Sequence, residues 1–241
     1  MAFVGCTNPA GGSTYSAKYA VGEIILNDGS KVNYETAKNY TGNDLDELKS
    51  KAIAVIFRAD TASKKALGVG LKHNRSGLAW CTTAAKAYNK NIETIQCPPS
   101  RDASNLTFTV DTDGSDNLEQ IAAFLTGNEL ENDTADASKY PAFYFAKNYK
   151  NTATNLGAAY GNGWYLPTVA ELFDIWKVKA TVDAASSLCG GSQFGNSYYW
   201  SSSQYAFGDY GAYVLNFGSG FWDGKNKATG RYYVCAIRAF N

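Results

Sequence analysis

Beyond Lys177 the sequence runs to Asn241 in short strand-length stretches separated by glycine-rich turns, while every clear helix signal lies upstream. A doubly wound α/β domain needs strands and helices to alternate, and a helical bundle needs helical periodicity throughout; neither pattern is present. The expectation is an α+β fold with an antiparallel sheet, two or more helices and much irregular loop. Residues 198–200, 212–217 and 232–237 are the late strands.

The strongest helix signal covers 168–177. Thr168 and Glu171 have the spacing of a capping box, and Val169, Leu172, Phe173 and Trp176 recur at i, i+3, i+4 and i+7, which predicts one buried face. Leu166-Pro167 ends the strand before it. Two further helices are predicted over 116–125 and 141–149, the second with Pro141 in its first turn. Upstream, 21–26 is a strand that turns at Asn27-Asp28-Gly29-Ser30 into Lys31-Val32, a hairpin signal, and the apolar runs 52–57 and 66–71 have strand length. No repeat of solenoid length occurs.

A chain of 241 residues can bury one sizeable core, and a single domain is expected over 21–241 behind a Gly-, Ser- and Thr-rich tether at 1–20. Lys plus Arg balances Asp plus Glu at 22 each, so no overall field draws the chain to nucleic acid. No apolar run approaches the roughly 18 residues of a membrane-spanning helix. The five cysteines, Cys6, Cys81, Cys97, Cys189 and Cys235, show no CxxC spacing, so neither a sulfur-bound metal nor a cofactor is expected. The last four are compatible with up to two disulfides or with free buried thiols. Phe3-Val4-Gly5-Cys6 is an imperfect lipobox, which makes Cys6 the candidate lipidation site and the membrane contact, if any, a lipid anchor; an ordinary cysteine in the tail is the alternative.

Residues 198–224 hold ten aromatics, five glycines and two charged residues, Asp209 and Asp223. Tyr and Trp give large contact area for few rotatable bonds while Gly, Ser and Asn adapt their hydrogen bonding, a composition shared with antibody loops. This predicts a recognition surface within 198–235. Its candidate residues are Phe207, Gly208, Asp209, Tyr210, Tyr213, Leu215, Gly218, Ser219, Phe221, Asp223, Gly224, Ala228, Thr229, Gly230 and Tyr232. The competing reading is a sheet core. Strand alternation puts Tyr213 and Leu215 on one face and Val214 and Asn216 on the other, so the first pair is expected outward and the second packed.

Gly163-Trp164-Tyr165-Leu166-Pro167-Thr168-Val169-Ala170-Glu171-Leu172 resembles a block of formylglycine-generating-enzyme-like domains, a branch of the C-type-lectin fold. Tyr199-Trp200-Ser201-Ser202-Ser203, Asn216-Phe217 and 233–240 resemble its later blocks in the same order, and Val21-Gly22, Asp28-Gly29 and 78–81 resemble segments of spirochaete lipoproteins. Within the branch the chain resembles the variable proteins of diversity-generating retroelements, whose C-terminal codons are rewritten at adenines. The resemblance implies a surface-displayed bacterial ligand-binding protein, lipid-anchored or secreted, without catalysis and with a protein as ligand. Adenine substitution in AAC or AAT codons reaches every residue of 206–211 and 228–232; it cannot yield Trp200, Gln204, Trp222, Lys225 or Lys227, which should be framework.

Two other functions are weighed on the same fold. A formylglycine-type cysteine oxidase needs two close reactive cysteines, whereas Cys189 and Cys235 lie far apart in sequence without a basic cluster beside either. The sole histidine, His73, has no nucleophile motif near it. A calcium-dependent lectin needs sugar-binding motifs that are missing, and the 111–116 acidic stretch lacks the glycine and glutamate positions of a calcium loop; a turn into the following helix is the better reading.

Overall fold

The computed structural model describes residues 15–100 and 106–241. The candidate anchor Cys6 and most of the expected tether lie outside them. Strands β1 (Glu23–Leu26) and β2 (Lys31–Asn33) form the predicted hairpin, with Ile24 opposite Val32. Asp28 shapes the turn by accepting the Ser30 N–H at 2.9 Å, while Gly29 takes the positive φ of 89° that the turn requires. Short helices α1 (Tyr34–Ala37) and α2 (Gly42–Lys51) lead to β3 (Ala52–Arg58), β4 (Ala66–Gly70) and β5 (Asn74–Leu78). Helices α3 (Asn117–Gly127) and α4 (Pro141–Lys147) follow, then β6 (Trp164–Tyr165), α5 (Val169–Lys177) and α6 (Lys179–Leu188). Strands β7 (Tyr198–Gln204), β8 (Gly211–Asn216), β9 (Trp222–Asn226), β10 (Tyr232–Val234) and β11 (Ile237–Phe240) complete the chain.

Two sheets result. The first has the order β2-β1-β3-β4-β11-β6 and the second β5-β10-β7-β8-β9. Every strand pair is antiparallel except β10 with β7, where Tyr233 lies opposite Tyr199. The chain is therefore α+β, with one parallel pair within otherwise antiparallel sheets. Sequence places one strand at 232–237; the chain instead divides it, β10 entering the second sheet and β11 the first, so this short run welds the two sheets together.

Strand β3 is buried on both faces. Val55, with Val69 and Ile237, packs under Leu172 and Ile175 of α5 and Val182 and Ala185 of α6, while Ile56 joins Tyr149, Trp164 and Phe240 on the other side. Helix α5 carries the predicted capping box: Thr168 Oγ1 accepts the Glu171 N–H at 3.1 Å and Glu171 Oε2 accepts the Thr168 N–H at 2.9 Å. Glu171 also accepts from the Gly114 N–H (3.2 Å) and the Tyr165 hydroxyl (2.9 Å), so one buried carboxyl joins α5, β6 and the 114–116 turn. Burial pushes that carboxyl up to about 7, against the pull of these donors.

Helix α6, unforeseen after Lys177, is an Ala- and Ser-rich segment whose buried side chains are the small Val182, Ala185 and Ser186; its apolar stripe is too faint to read. Strand β9, WDGKN, has no apolar run because it lies at a sheet edge with every residue half-buried.

Candidate functional site

Ten of the candidate recognition residues fall on three connections of the second sheet, 205–210 between β7 and β8, 217–221 between β8 and β9, and 227–231 between β9 and β10, while Tyr213 and Leu215 lie within β8, Asp223 and Gly224 within β9 and Tyr232 at the start of β10. Because β7, β8 and β9 run antiparallel in register (Trp200 opposite Val214, Leu215 opposite Trp222, Gly211 opposite Asn226), the first and third connections share one end of β8 and the second lies at the other. A six-residue strand spans roughly 17–20 Å. The predicted patch is thus two groups.

At the first end, Phe207 and Tyr210 are 69% and 51% exposed, with Gly208, Asp209 and Thr229 exposed beside them and Gly230 and Tyr232 half-buried. Tyr210 meets Tyr88 edge to face at 5.3 Å, and Phe207 meets Tyr205 at 5.4 Å. At the other end Phe221 is 54% exposed, Gly218 and Ser219 are exposed, and Phe221 stacks on Trp222 at 6.0 Å. Trp222 continues to Phe108 (5.8 Å), Phe173 lies beyond it (5.5 Å from Phe108), and Trp176 stacks on Phe173 at 5.3 Å. Between the groups Tyr205 lies against Gly211 and Gly224, where any Cβ would come within 2.9 and 2.5 Å of it, and meets Tyr213 at 5.1 Å. Tyr205 and Trp222 belong to the same small cluster, so a half-buried aromatic band joins the two ends.

Three expectations are corrected. Tyr213 and Leu215 are 1% and 0% exposed, not outward: α5 covers their face through Val169, Leu172 and Ile175, while Val214 and Ala212 pack on the other side with Trp80 and Trp200. A strand covered on both faces reads as a continuous apolar run, and Ala212-Tyr213-Val214-Leu215 is such a run. Ala228, expected on the surface, is 7% exposed; it lies in a turn closed by the Asn226 side chain, which accepts the Ala228 and Thr229 N–H groups, both at 3.0 Å. Asn216, expected to pack, is half-buried and caps the 217–221 turn, accepting the Gly218 N–H at 2.7 Å.

The residues unreachable by adenine substitution lie under this surface. Trp200, Gln204 and Lys227 are fully buried, while Trp222 and Lys225 are half-buried, Lys225 paired with Asp223 at 2.6 Å. The Lys227 ammonium lies 5.0 Å from the centre of the Trp80 ring; desolvation pushes it down to about 8, with Cys81 and Asp209 pulling the other way. Tyr88, Tyr205 and Phe108 are additions the sequence did not flag. Tyr88 stands far from 198–235 in the chain and only the fold brings it there.

The four described cysteines are free and buried. Burial pushes the thiols of Cys81, Cys97 and Cys189 up to about 12, and that of Cys235 higher still. His73, with Nδ1 2.9 Å from the Tyr199 hydroxyl, is buried between Phe194 and Tyr199. A cleft of about 710 Å³ is lined by residues such as Arg58, Lys64, Phe143, Lys147 and Trp164 and by none from 198–235. Among the described residues no group of three or more His, Cys, Asp or Glu is placed to hold a metal, and no helix is long and apolar enough to cross a membrane.

No curated protein matches this chain in sequence. A solved fimbrial protein from Bacteroides ovatus superposes over 92% of the chain with a TM-score of 0.58 at 13% identity, a likeness of fold alone that supports a lectin-like architecture. The chain spans about half of that protein, 49% of its length. The model of the Lcl C-terminal domain matches residues 70–238, which include the β5–β10–β7–β8–β9 sheet and all three of its connections. The chain belongs to the Lcl C-terminal domain family, a domain associated with the variable proteins of diversity-generating retroelements.

Proposed function

We propose that this is a non-catalytic, surface-displayed binding protein that captures protein ligands through the 205–210 and 227–231 connections, extended along the aromatic band to Phe221. One observation carries the reading: Phe207, Tyr210 and Phe221, the large exposed hydrophobic side chains of the C-terminal third, lie on connections, while Trp200, Gln204 and Lys227 are fully buried. Exposed positions tolerate exchange at about 0.5 kcal/mol or less, whereas buried ones cost several, so diversification confined to these connections leaves the scaffold standing. Exposed aromatics are also the side chains that dominate interface energies. Display by a lipid on Cys6 and placement of the scaffold in the formylglycine-generating-enzyme branch are parts of the proposal that rest on sequence blocks. The oxidase alternative is disfavoured by the chemistry of Cys189 and Cys235, since a buried thiol held well above neutral is no nucleophile.

The test is a displayed library in which 206–210, 218, 219, 221, 229 and 231 are randomised, with Gly220 and Gly230 kept because a Cβ at either would clash, and selected against one fixed probe protein such as streptavidin. Folded binders whose affinity survives EDTA are expected. A library that fails to fold, or binders that need calcium, would reject the reading. An independent check is genomic: a reverse-transcriptase gene beside a near-copy of the segment encoding 200–235 that differs at adenines.

A further inference from the structure

We propose that Lys227 is the positioning residue of the 205–210 connection, and that its hydrogen bonds hold this connection by main-chain atoms alone, so that the side chains of 206–210 can be exchanged without moving the loop. The inference rests on the reading of that connection as part of the recognition surface. It concerns how the surface keeps its shape.

Lysine is among the residues least often fully buried, yet Lys227 has no exposed surface. Such burial requires that its donors be met. Its ammonium donates to Asp209 O (2.9 Å), Gln204 Oε1 (3.1 Å), Lys90 O (3.2 Å) and Ala87 O (3.3 Å). Three hydrogens serve four acceptors, so at least one bond is shared. The backbone of Lys227 is held at the same place: its N–H donates to Tyr210 O at 2.8 Å, and its carbonyl accepts from the Trp80 and Cys81 N–H groups at 3.0 and 3.2 Å. Gln204 completes the frame, its Nε2 donating to Lys90 O at 2.9 Å and its Oε1 accepting the Ile92 N–H at 3.1 Å.

The contacts from Lys227 into the 205–210 connection end on the carbonyl oxygens of Asp209 and Tyr210. Neither depends on which side chain those residues carry. Within the connection, Gly211 N–H donates to Gly208 O and Tyr205 N–H to Gly211 O, again main chain to main chain. Side-chain contacts are the rival explanation for the loop's shape: Tyr210 on Tyr88, and Phe207 on Tyr205. Lysine cannot arise by adenine substitution in AAC or AAT codons, so a clamp built from it persists while its neighbours change.

The two explanations separate by hydrogen exchange on the unliganded protein, so the outcome is independent of whether the surface binds anything. The probes are the amides of Tyr205, Gly211 and Lys227. In the combined variant Phe207→Ser, Asp209→Asn, Tyr210→Ser, exchange at these amides is expected within about threefold of the parent. In Lys227→Met, which keeps the apolar stem and removes the donors, it is expected to rise roughly tenfold or more while the other β8–β9 amides, from Ala212 to Leu215, stay protected. A tenfold rise in the combined variant, or no rise in a folded Lys227→Met, overturns the proposal. Should Lys227→Met fail to fold, the Lys227 ammonium resonance in the combined variant decides: a slowly exchanging signal supports the clamp, and its loss refutes it.

Discussion

Phe207 and Tyr213 are both aromatic residues in one Gly- and Tyr-rich segment, but their surroundings give them opposite consequences. Phe207→Ala and Phe221→Ala should each shift unfolding free energy by about 0.5 kcal/mol or less, whereas Leu215→Ala should cost about 2–5 kcal/mol and Tyr213→Ala a similar amount, read from urea melts. Equal costs at the exposed and buried positions would refute the placement. His73 supplies a pH test. Burial, with Arg75 adding to it, pushes its imidazole down to about 3 from an ordinary 6.5. Between those values the unfolded chain binds a proton that the folded chain refuses, so stability is fully present above pH 6.5 and falls as the medium is acidified, by up to about 1.4 kcal/mol per pH unit. Glu171, raised to about 7 from 4.5, acts in the opposite sense, favouring the fold as pH falls through that window. The readout is therefore the difference between parent and His73→Gln, which should shrink steadily from pH 6.5 downward; a constant difference would show that His73 is charged in the fold.

Among the elements, α5 was the most legible. Thr168, Glu171 and the Val169–Leu172–Phe173–Trp176 stripe are local signals, and the observed N-cap, capping box and buried face follow from contacts within one helical turn. Thr168→Ala should cost about 1–2 kcal/mol, because the cap is buried and leaves the Glu171 N–H without its acceptor. The 217–221 turn depends instead on a distant partner. Gly220 sits at a φ of 74° and a Cβ there would approach Trp176 to 2.6 Å, so Gly220→Ala should destabilise by about 1–3 kcal/mol and displace Phe221, visible as lost protection of the Gly220 amide. Helix α6 and strand β9 escaped notice for the reverse reason. Neither has a local pattern; each is held by the sheet it packs on or joins.

At the scale of the whole molecule, the four cysteines among the described residues are buried free thiols, so the core they sit in is held by packing between two sheets and their helices. Dithiothreitol should leave the melting temperature unchanged, and a thiol reagent should label Cys81, Cys97, Cys189 and Cys235 only on unfolding; labelling in the folded state would contradict their burial. The sequence by itself determined the α+β class, the hairpin at 23–33, helix α5 and the aromatic, weakly charged character of the C-terminal third, because each is written in residues a few positions apart. The tertiary structure alone decided that Tyr213 and Leu215 face inward, that Tyr88 joins Tyr210, that the surface divides between the two ends of β8, and that Lys227 is buried. Those outcomes turn on which elements cover which face of a sheet, and that is set by contacts between residues far apart in the chain, from α5 against β8 to Lys227 with Ala87 and Lys90.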